Sequence, residues 1–148
     1  MSFKFFIALA AASCALAMPA AAEQRPNEGS ALMESLGMGG LKGDKLAKAI
    51  ANAEKHPLGS KANPVRENMP AGQRSYLRRL RCAGGEKPAF KRGGSVGEGV
   101  YGNIIDLYSV TCPGAAPVEV YMDMYHEGPE IRPSPGFTIA PAEGQATS

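Results

Sequence analysis

The chain has 148 residues, of which 44% are apolar and 7% aromatic with no tryptophan, and its formal net charge is +2 at pH 7. The 18 glycines and 12 prolines leave room for one domain with a modest core. Near-neutral charge argues against a general nucleic-acid or membrane-surface binder.

The beginning of the chain has the features of a secretory signal peptide. Lys4 precedes an uncharged, Ala-rich run over residues 5–17, and small residues follow at positions 20–22. This pattern predicts cleavage after Ala22 and a periplasmic or secreted mature protein without a transmembrane helix. An uncleaved anchor needs roughly 18 strongly apolar residues, and this run reaches that length only by counting many alanines. A lipid anchor at Cys14 is a second alternative, although Ala11 stands where a leucine is usual.

Removal of the leader would leave one even pair of cysteines, Cys82 and Cys112. A pair in an exported protein predicts a disulfide. For a loop of this length, the chain-entropy model gives about 3.5 kcal/mol of stabilisation. The two Cα atoms must then lie within about 7 Å, which predicts that two strand ends meet at one edge of a sheet.

The patterns predict an α+β fold: a small, mainly antiparallel sheet of three to four strands over about residues 76–126, stapled by the disulfide, with an accessory N-terminal helix. We expect a signal peptide (1–22), a polar lead and amphipathic helix (23–56), a Pro-rich extended linker or edge strand (57–75), a disulfide-stapled β domain (76–139) and a disordered tail (140–148).

The helix is predicted over residues 45–56, with Asp44 as its cap and Pro57 as its stop. Its apolar stripe is mostly alanine and should dock weakly: Leu46, Ala49, Ile50 and Ala53. Prolines allow residues 63–66 to be at most an edge strand.

The β domain is predicted from β-branched and aromatic runs with alternating polarity. The predicted strands are residues 76–82, 89–92, 104–112 and 118–126. The first of these segments could also form about one and a half turns of helix. The last two should form a hairpin. Residues 93–103 are predicted to be a long, flexible, Gly-rich connection of the kind that carries function, and Phe137 and Ile139 should fold back onto the sheet.

Charge is distributed unevenly along this domain. Residues 74–92 contain seven basic side chains and one acid, whereas residues 93–131 contain six acids and no Lys or Arg. Opposite charges could pair across the ladder, or the basic residues could form a partner-binding face with a nearby tyrosine. The candidate partner-binding residues are Arg78, Arg79, Arg81, Lys91, Arg92 and Tyr101.

Strand alternation puts Met122, Met124 and His126 on one face, and thioethers with an imidazole suit Cu(I). Val118 and Val120 share that face, so the methionines are more simply explained as core side chains, with His126 at the solvent end.

Two short sequence motifs match catalytic or cofactor-binding patterns but lack the helix that should follow them. Residues 97–102 spell a dinucleotide-binding motif and residues 93–97 a nucleophile elbow, but no helix is predicted after either. Asp106, Glu119 and Asp123 are available carboxylates for acid-base catalysis, without an identifiable partner.

The leading functional hypothesis is a small exported bacterial protein, a non-catalytic binding or interaction module of accessory or inhibitor type. Its partner would be another envelope or extracellular macromolecule and not nucleic acid, with no cofactor. The alternatives are a periplasmic copper-binding protein using Met122, Met124 and His126, and a small secreted hydrolase.

Overall fold

The computed structural model describes residues 39–142. The predicted signal peptide, the alternative lipid anchor and most of the predicted disordered tail lie outside these residues. Two helices are present within them, α1 (Gly43–Ala53) and α2 (Met69–Arg79). The strands are β1 (Val65–Arg66), β2 (Leu80–Arg81), β3 (Ala89–Glu98), β4 (Ile104–Thr111), β5 (Val118–Asp123) and β6 (Thr138–Ile139).

The main sheet has four strands in the order β1-β5-β4-β3. Strands β3, β4 and β5 are antiparallel neighbours, and β1 joins β5 in parallel at the edge. Strands β2 and β6 form a separate antiparallel ladder. This architecture confirms an α+β fold with a mainly antiparallel sheet, and it confirms that the segment around residues 63–66 provides only an edge strand.

The hairpin of β4 and β5 is confirmed. Tyr108 pairs with Val120 and Asp106 with Met122, as expected from two alternating runs joined by a short Gly/Pro turn. One face of this hairpin is apolar and packs under α2, which makes the pairing register strongly specified.

Strand β3 is longer than predicted. The prediction of a flexible connection is wrong over residues 93–98, because β3 continues to Glu98 through two register shifts. Gly94 and Gly97 have φ values of 130° and 91°, which an L side chain rarely adopts. These glycines allow the strand to bulge and still pair with β4, so that only residues 99–103 form the turn.

The prediction of a strand over residues 76–82 is wrong except at Leu80 and Arg81, because α2 occupies residues up to Arg79. Gln73, Tyr76, Leu77 and Leu80 are all buried, and this spacing of three or four residues is that of one helical face. Pro70 lies in the first turn, where a helix tolerates proline.

The core lies between α2 and one face of the sheet. Its buried side chains are Leu58, Val65, Tyr76, Leu77, Leu80, Tyr108, Val110, Val120 and Met122. Phe137 and Ile139 pack against this cluster, which confirms that the C-terminal segment folds back.

The disulfide between Cys82 and Cys112 is confirmed, with its Cα atoms 5.8 Å apart. Cys82 follows β2, which belongs to the separate two-stranded ladder. The bridge therefore joins that ladder to the end of β4, and the expectation that it links strand ends at one edge of a single sheet is wrong.

Helix α1 is confirmed but begins and ends earlier than predicted, and Asp44 lies in its first turn rather than at the cap. Ala53 is its only buried residue, which agrees with an accessory helix that docks weakly. Across residues 39–142, neither helix has the length and apolar character needed to cross a membrane.

Candidate functional site

Three exposed arginines, which we call the basic face, lie on α2 and on the strand beside Tyr108: Arg74, Arg78 and Arg92. Arg74 and Arg78 are exposed and lie one helical turn apart on α2. Arg92 on β3 pairs in register with the buried Tyr108, so its side chain lies on the sheet face that α2 covers. Burial raises the pKa of Tyr108, and the nearby charges of Arg92 and Arg74 oppose that shift. Both arginines therefore act electrostatically on the Tyr108 hydroxyl.

Arg92 also makes a bidentate ion pair across the β3–β4 ladder. Its Nη2 lies 2.6 Å from Asp106 Oδ1 and its Nε lies 3.1 Å from Asp106 Oδ2. The hydrogen bond to Asp106 raises the pKa of Arg92. This contact confirms opposite-charge pairing at one position of the ladder, while the Arg92 side chain stays 48% exposed and can still face a partner.

Two of the predicted partner-binding residues are buried. Arg79 donates from Nη2 to the Glu130 carbonyl at 2.6 Å and lies 3.7 Å from Glu67. Tyr101 is fully buried, and its hydroxyl accepts a hydrogen bond of 2.8 Å from Arg66. These side chains hold segments of the fold together and are not available on a surface.

Two other predicted residues lie beside the basic face. The Arg81 Nη1 donates to the Arg78 carbonyl at 2.8 Å, where a cation is favourable at the C-terminal end of a helix. Lys91 is exposed and pairs with Ser109. Lys91 and Arg92 are consecutive in β3, so the Lys91 side chain lies on the opposite face of the sheet.

An ion-pair network, formed by Glu54, Arg66, Glu130 and Arg132, joins α1, β1 and the segment before β6. Arg132 lies 2.5 Å from Glu54 and 2.8 Å from Glu130, and Arg66 lies 3.0 Å from Glu54. The hydrogen bond from Arg132 lowers the pKa of Glu54 to about 2. Sequence reasoning missed this network because its members are up to 78 positions apart.

The three residues of the predicted copper site have different surroundings. Met122 is fully buried in the core, and Met124 is partly buried. The His126 ring contacts the Tyr101 ring edge-on at 4.9 Å, and its Nε2 lies 3.2 Å from Asp123 Oδ2. Strand β5 ends at Asp123, so strict alternation does not extend to His126. Within residues 39–142, no group of three or more His, Cys, Asp or Glu could hold a metal ion.

The predicted carboxylates have different hydrogen-bond partners. Asp106 binds Arg92 and accepts a hydrogen bond of 3.0 Å from Ser95. Asp123 accepts hydrogen bonds from the Asn103 side chain and the Tyr125 backbone, and Glu119 accepts one from Tyr121. Residues 97–102 lead into β4 rather than a helix, so the dinucleotide motif lacks the context in which it functions.

A groove of about 340 Å³, which we call the α1 groove, lies where the second half of α1 meets two loops. It is lined by Ala49, Asn52, Ala53, His56, Ala62 and Val100. Asn52 is exposed and accepts a hydrogen bond of 3.0 Å from Lys55. The alanine stripe of α1 is visible in the sequence, but its juxtaposition with Ala62 and Val100 is not.

The described part of the chain defines a small α+β protein with a mainly antiparallel four-stranded sheet, a two-stranded ladder and one disulfide. No family model, curated protein or solved structure matches this chain.

Proposed function

We propose that this protein is an exported, non-catalytic interaction module whose basic face binds an acidic segment of another macromolecule in the cell envelope or outside the cell. The main support is the exposure of Arg74 and Arg78 one helical turn apart on α2, together with the exposed Arg92 on β3. Among residues 39–142, Arg74 and Arg78 have no acidic partner. Arginine suits this role because its planar fork can bind a carboxylate through two hydrogen bonds.

Two acidic residues, Glu54 and Glu130, are engaged in the ion-pair network rather than available for acid-base chemistry. Hydrogen bonds from arginines lower the pKa of Glu54 to about 2 and also lower the pKa of Glu130. A general acid or base functions best with a pKa near the working pH. These two carboxylates stay ionised at neutral pH and are occupied by the ion-pair network.

Export is supported by the leader pattern and is compatible with the disulfide. Structural disulfides persist in oxidising compartments, and Cys82 with Cys112 forms one here. The bridge also ties β4 to the ladder that follows α2, so it stabilises the helix that carries Arg74 and Arg78.

The proposal can be tested with residues 23–148 and a fluorescein-labelled peptide of alternating Glu and Ser. Fluorescence anisotropy should detect binding that weakens as salt is added, because exposed charges are screened. An Arg74→Glu/Arg78→Glu variant should bind at least about tenfold more weakly, since two attractive charges become repulsive.

The matched control is Lys45→Glu/Lys91→Glu, which makes the same change in net charge at exposed positions on α1 and on the opposite sheet face. It should change the affinity less than about twofold. Equal loss in both variants would show that net charge alone attracts the peptide. Circular dichroism and urea unfolding must show that both variants keep the fold.

A further inference from the structure

We propose that the α1 groove is a second docking site, independent of the basic face, for a partner-protein segment in which one bulky apolar side chain is flanked by Asp or Glu. The groove would take the apolar side chain, and lysines at its rim would attract the flanking carboxylates.

The shape of the groove follows from the small residues of α1. Only Ala53 of this helix is buried, and Ala49 is partly exposed beside it. The opposite wall ends in Val100, which is 41% exposed. Ligand pockets typically measure about 300–1,000 Å³, so a groove of about 340 Å³ fits one large side chain better than a whole helix.

The walls of the groove are held by hydrogen bonds. Asn63 follows the lining residue Ala62, and its Nδ2 donates to the carbonyl of His56 at 3.0 Å. Tyr101 follows Val100, is fully buried, and its carbonyl accepts a 2.7 Å hydrogen bond from the Leu41 backbone. Both sides of the groove are therefore anchored before a ligand arrives, which lowers the entropy cost of binding.

The charge around the groove favours acidic flanks. Three lysines are exposed near the groove: Lys48 lies on α1, Lys55 follows the end of α1, and Lys61 precedes Ala62. The acid at this end of α1, Glu54, is already paired with Arg66 and Arg132, so it does not neutralise the lysines. A protein segment fits better than a lipid surface, because membrane-binding helices present large apolar side chains, whereas three alanines, two polar side chains and one valine line this groove.

The test uses an Arg74→Glu/Arg78→Glu background, so that the basic face cannot hold the probe. The probe is a synthetic peptide with one Phe between two pairs of Glu. In two-dimensional ¹H–¹⁵N NMR, its addition should shift the amide signals of Asn52, Ala53, Ala62 and Val100. Ala49→Leu should fill the groove and weaken binding at least about tenfold, whereas Ala47→Leu, at an exposed position of the same helix, should leave it unchanged.

Two altered peptides separate the parts of the proposal. Replacing Phe by Ala should abolish the shifts, and replacing Glu by Gln should weaken binding and remove its salt dependence. The proposal is wrong if the Phe peptide causes no shifts at the groove, if Ala47→Leu and Ala49→Leu behave alike, or if the protein binds vesicles of phosphatidylglycerol and phosphatidylcholine but not the peptide. None of these outcomes bears on the basic face, because the background variant has already reversed the charge of its two helix arginines.

Discussion

Replacement of Arg79 by Met should lower the free energy of unfolding by about 3–5 kcal/mol, whereas the same replacement at Arg78 should change it by less than about 0.5 kcal/mol. The two residues are adjacent in sequence and both appeared to be partner-binding candidates. Arg78 is exposed on α2, whereas the Arg79 side chain is only 10% exposed.

The magnitude follows from what Arg79 contacts. Its guanidinium donates to the Glu130 carbonyl at 2.6 Å and lies 3.7 Å from Glu67, whose side chain is 2% exposed. A hydrogen bond from a charged group contributes about 1.5–3 kcal/mol, and an ionised Glu67 left without its cation raises the loss to about 3–5 kcal/mol. Met preserves the long apolar stem and so limits the loss of packing.

The loss should depend on pH. Burial raises the pKa of Glu67 above its ordinary value, and Arg79 opposes that shift. Removal of Arg79 should raise this pKa further. A carboxyl group with a raised pKa is protonated in the folded protein at low pH, where it needs no cation. The free energy of unfolding of the variant should therefore be closest to that of the wild type near pH 4. It should lose stability relative to the wild type as the pH rises through the folded-state pKa of Glu67.

Urea unfolding followed by circular dichroism measures these changes. With a slope of about 1–3 kcal/mol/M, Arg79→Met should lower the midpoint by at least about 1 M, and Arg78→Met serves as the control. Adding Glu67→Gln to Arg79→Met should restore at least about 1 kcal/mol, because the two sites are coupled. A loss below about 1 kcal/mol, or equal losses at pH 4 and pH 7, would show that Arg79 does not stabilise the buried Glu67 and would make it a binding candidate again.

Three further predictions concern other contacts. Tyr76→Phe should lower the free energy of unfolding by about 1–3 kcal/mol, measured by thermal unfolding, because it leaves buried partners unpaired. Burial raises the Tyr76 pKa to about 12, so the wild type should also lose more stability than the variant as the pH rises from 10 to 12. The Arg132 hydrogen bond that lowers the Glu54 pKa to about 2 gives stability that is complete above about pH 4.5 and lost as the pH falls through 2; an acid titration of unfolding should therefore be flatter for Glu54→Gln, and identical slopes would contradict the stabilising role of the pair. Cys82→Ala/Cys112→Ala should lower the unfolding free energy by about 3.5 kcal/mol, and an unchanged urea midpoint would show that the bridge does not stabilise the fold.

The parts of the fold that the sequence predicted correctly depend on local patterns. The β-branched and aromatic residues of β4, the alternation over β5 and the short Gly/Pro turn between them specify the hairpin. The stripe of α1 repeats at helical spacing. The disulfide followed from counting, since the leader prediction leaves Cys82 with one possible partner.

The wrong secondary-structure predictions concern segments whose sequence fits two different structures. Residues 76–79 are apolar and basic in an order that suits either a strand or a helix, and burial of Gln73, Tyr76 and Leu77 on one face decides for the helix. Glycines after Arg92 suggested a loop, but pairing with β4 supplies hydrogen bonds that keep the bulged strand extended.

The sequence by itself determined the hairpin, the accessory helix and the pair of cysteines, because each depends on residues close together in the chain or on a simple count. Only the tertiary structure decided that Arg79 and Tyr101 are buried while Arg78 and Arg92 reach the surface. It also brought Glu54 to Arg132 and Ala49 to Val100. Burial and ion pairing are properties of which distant segments pack together, and that choice is made by the whole core rather than by any local pattern.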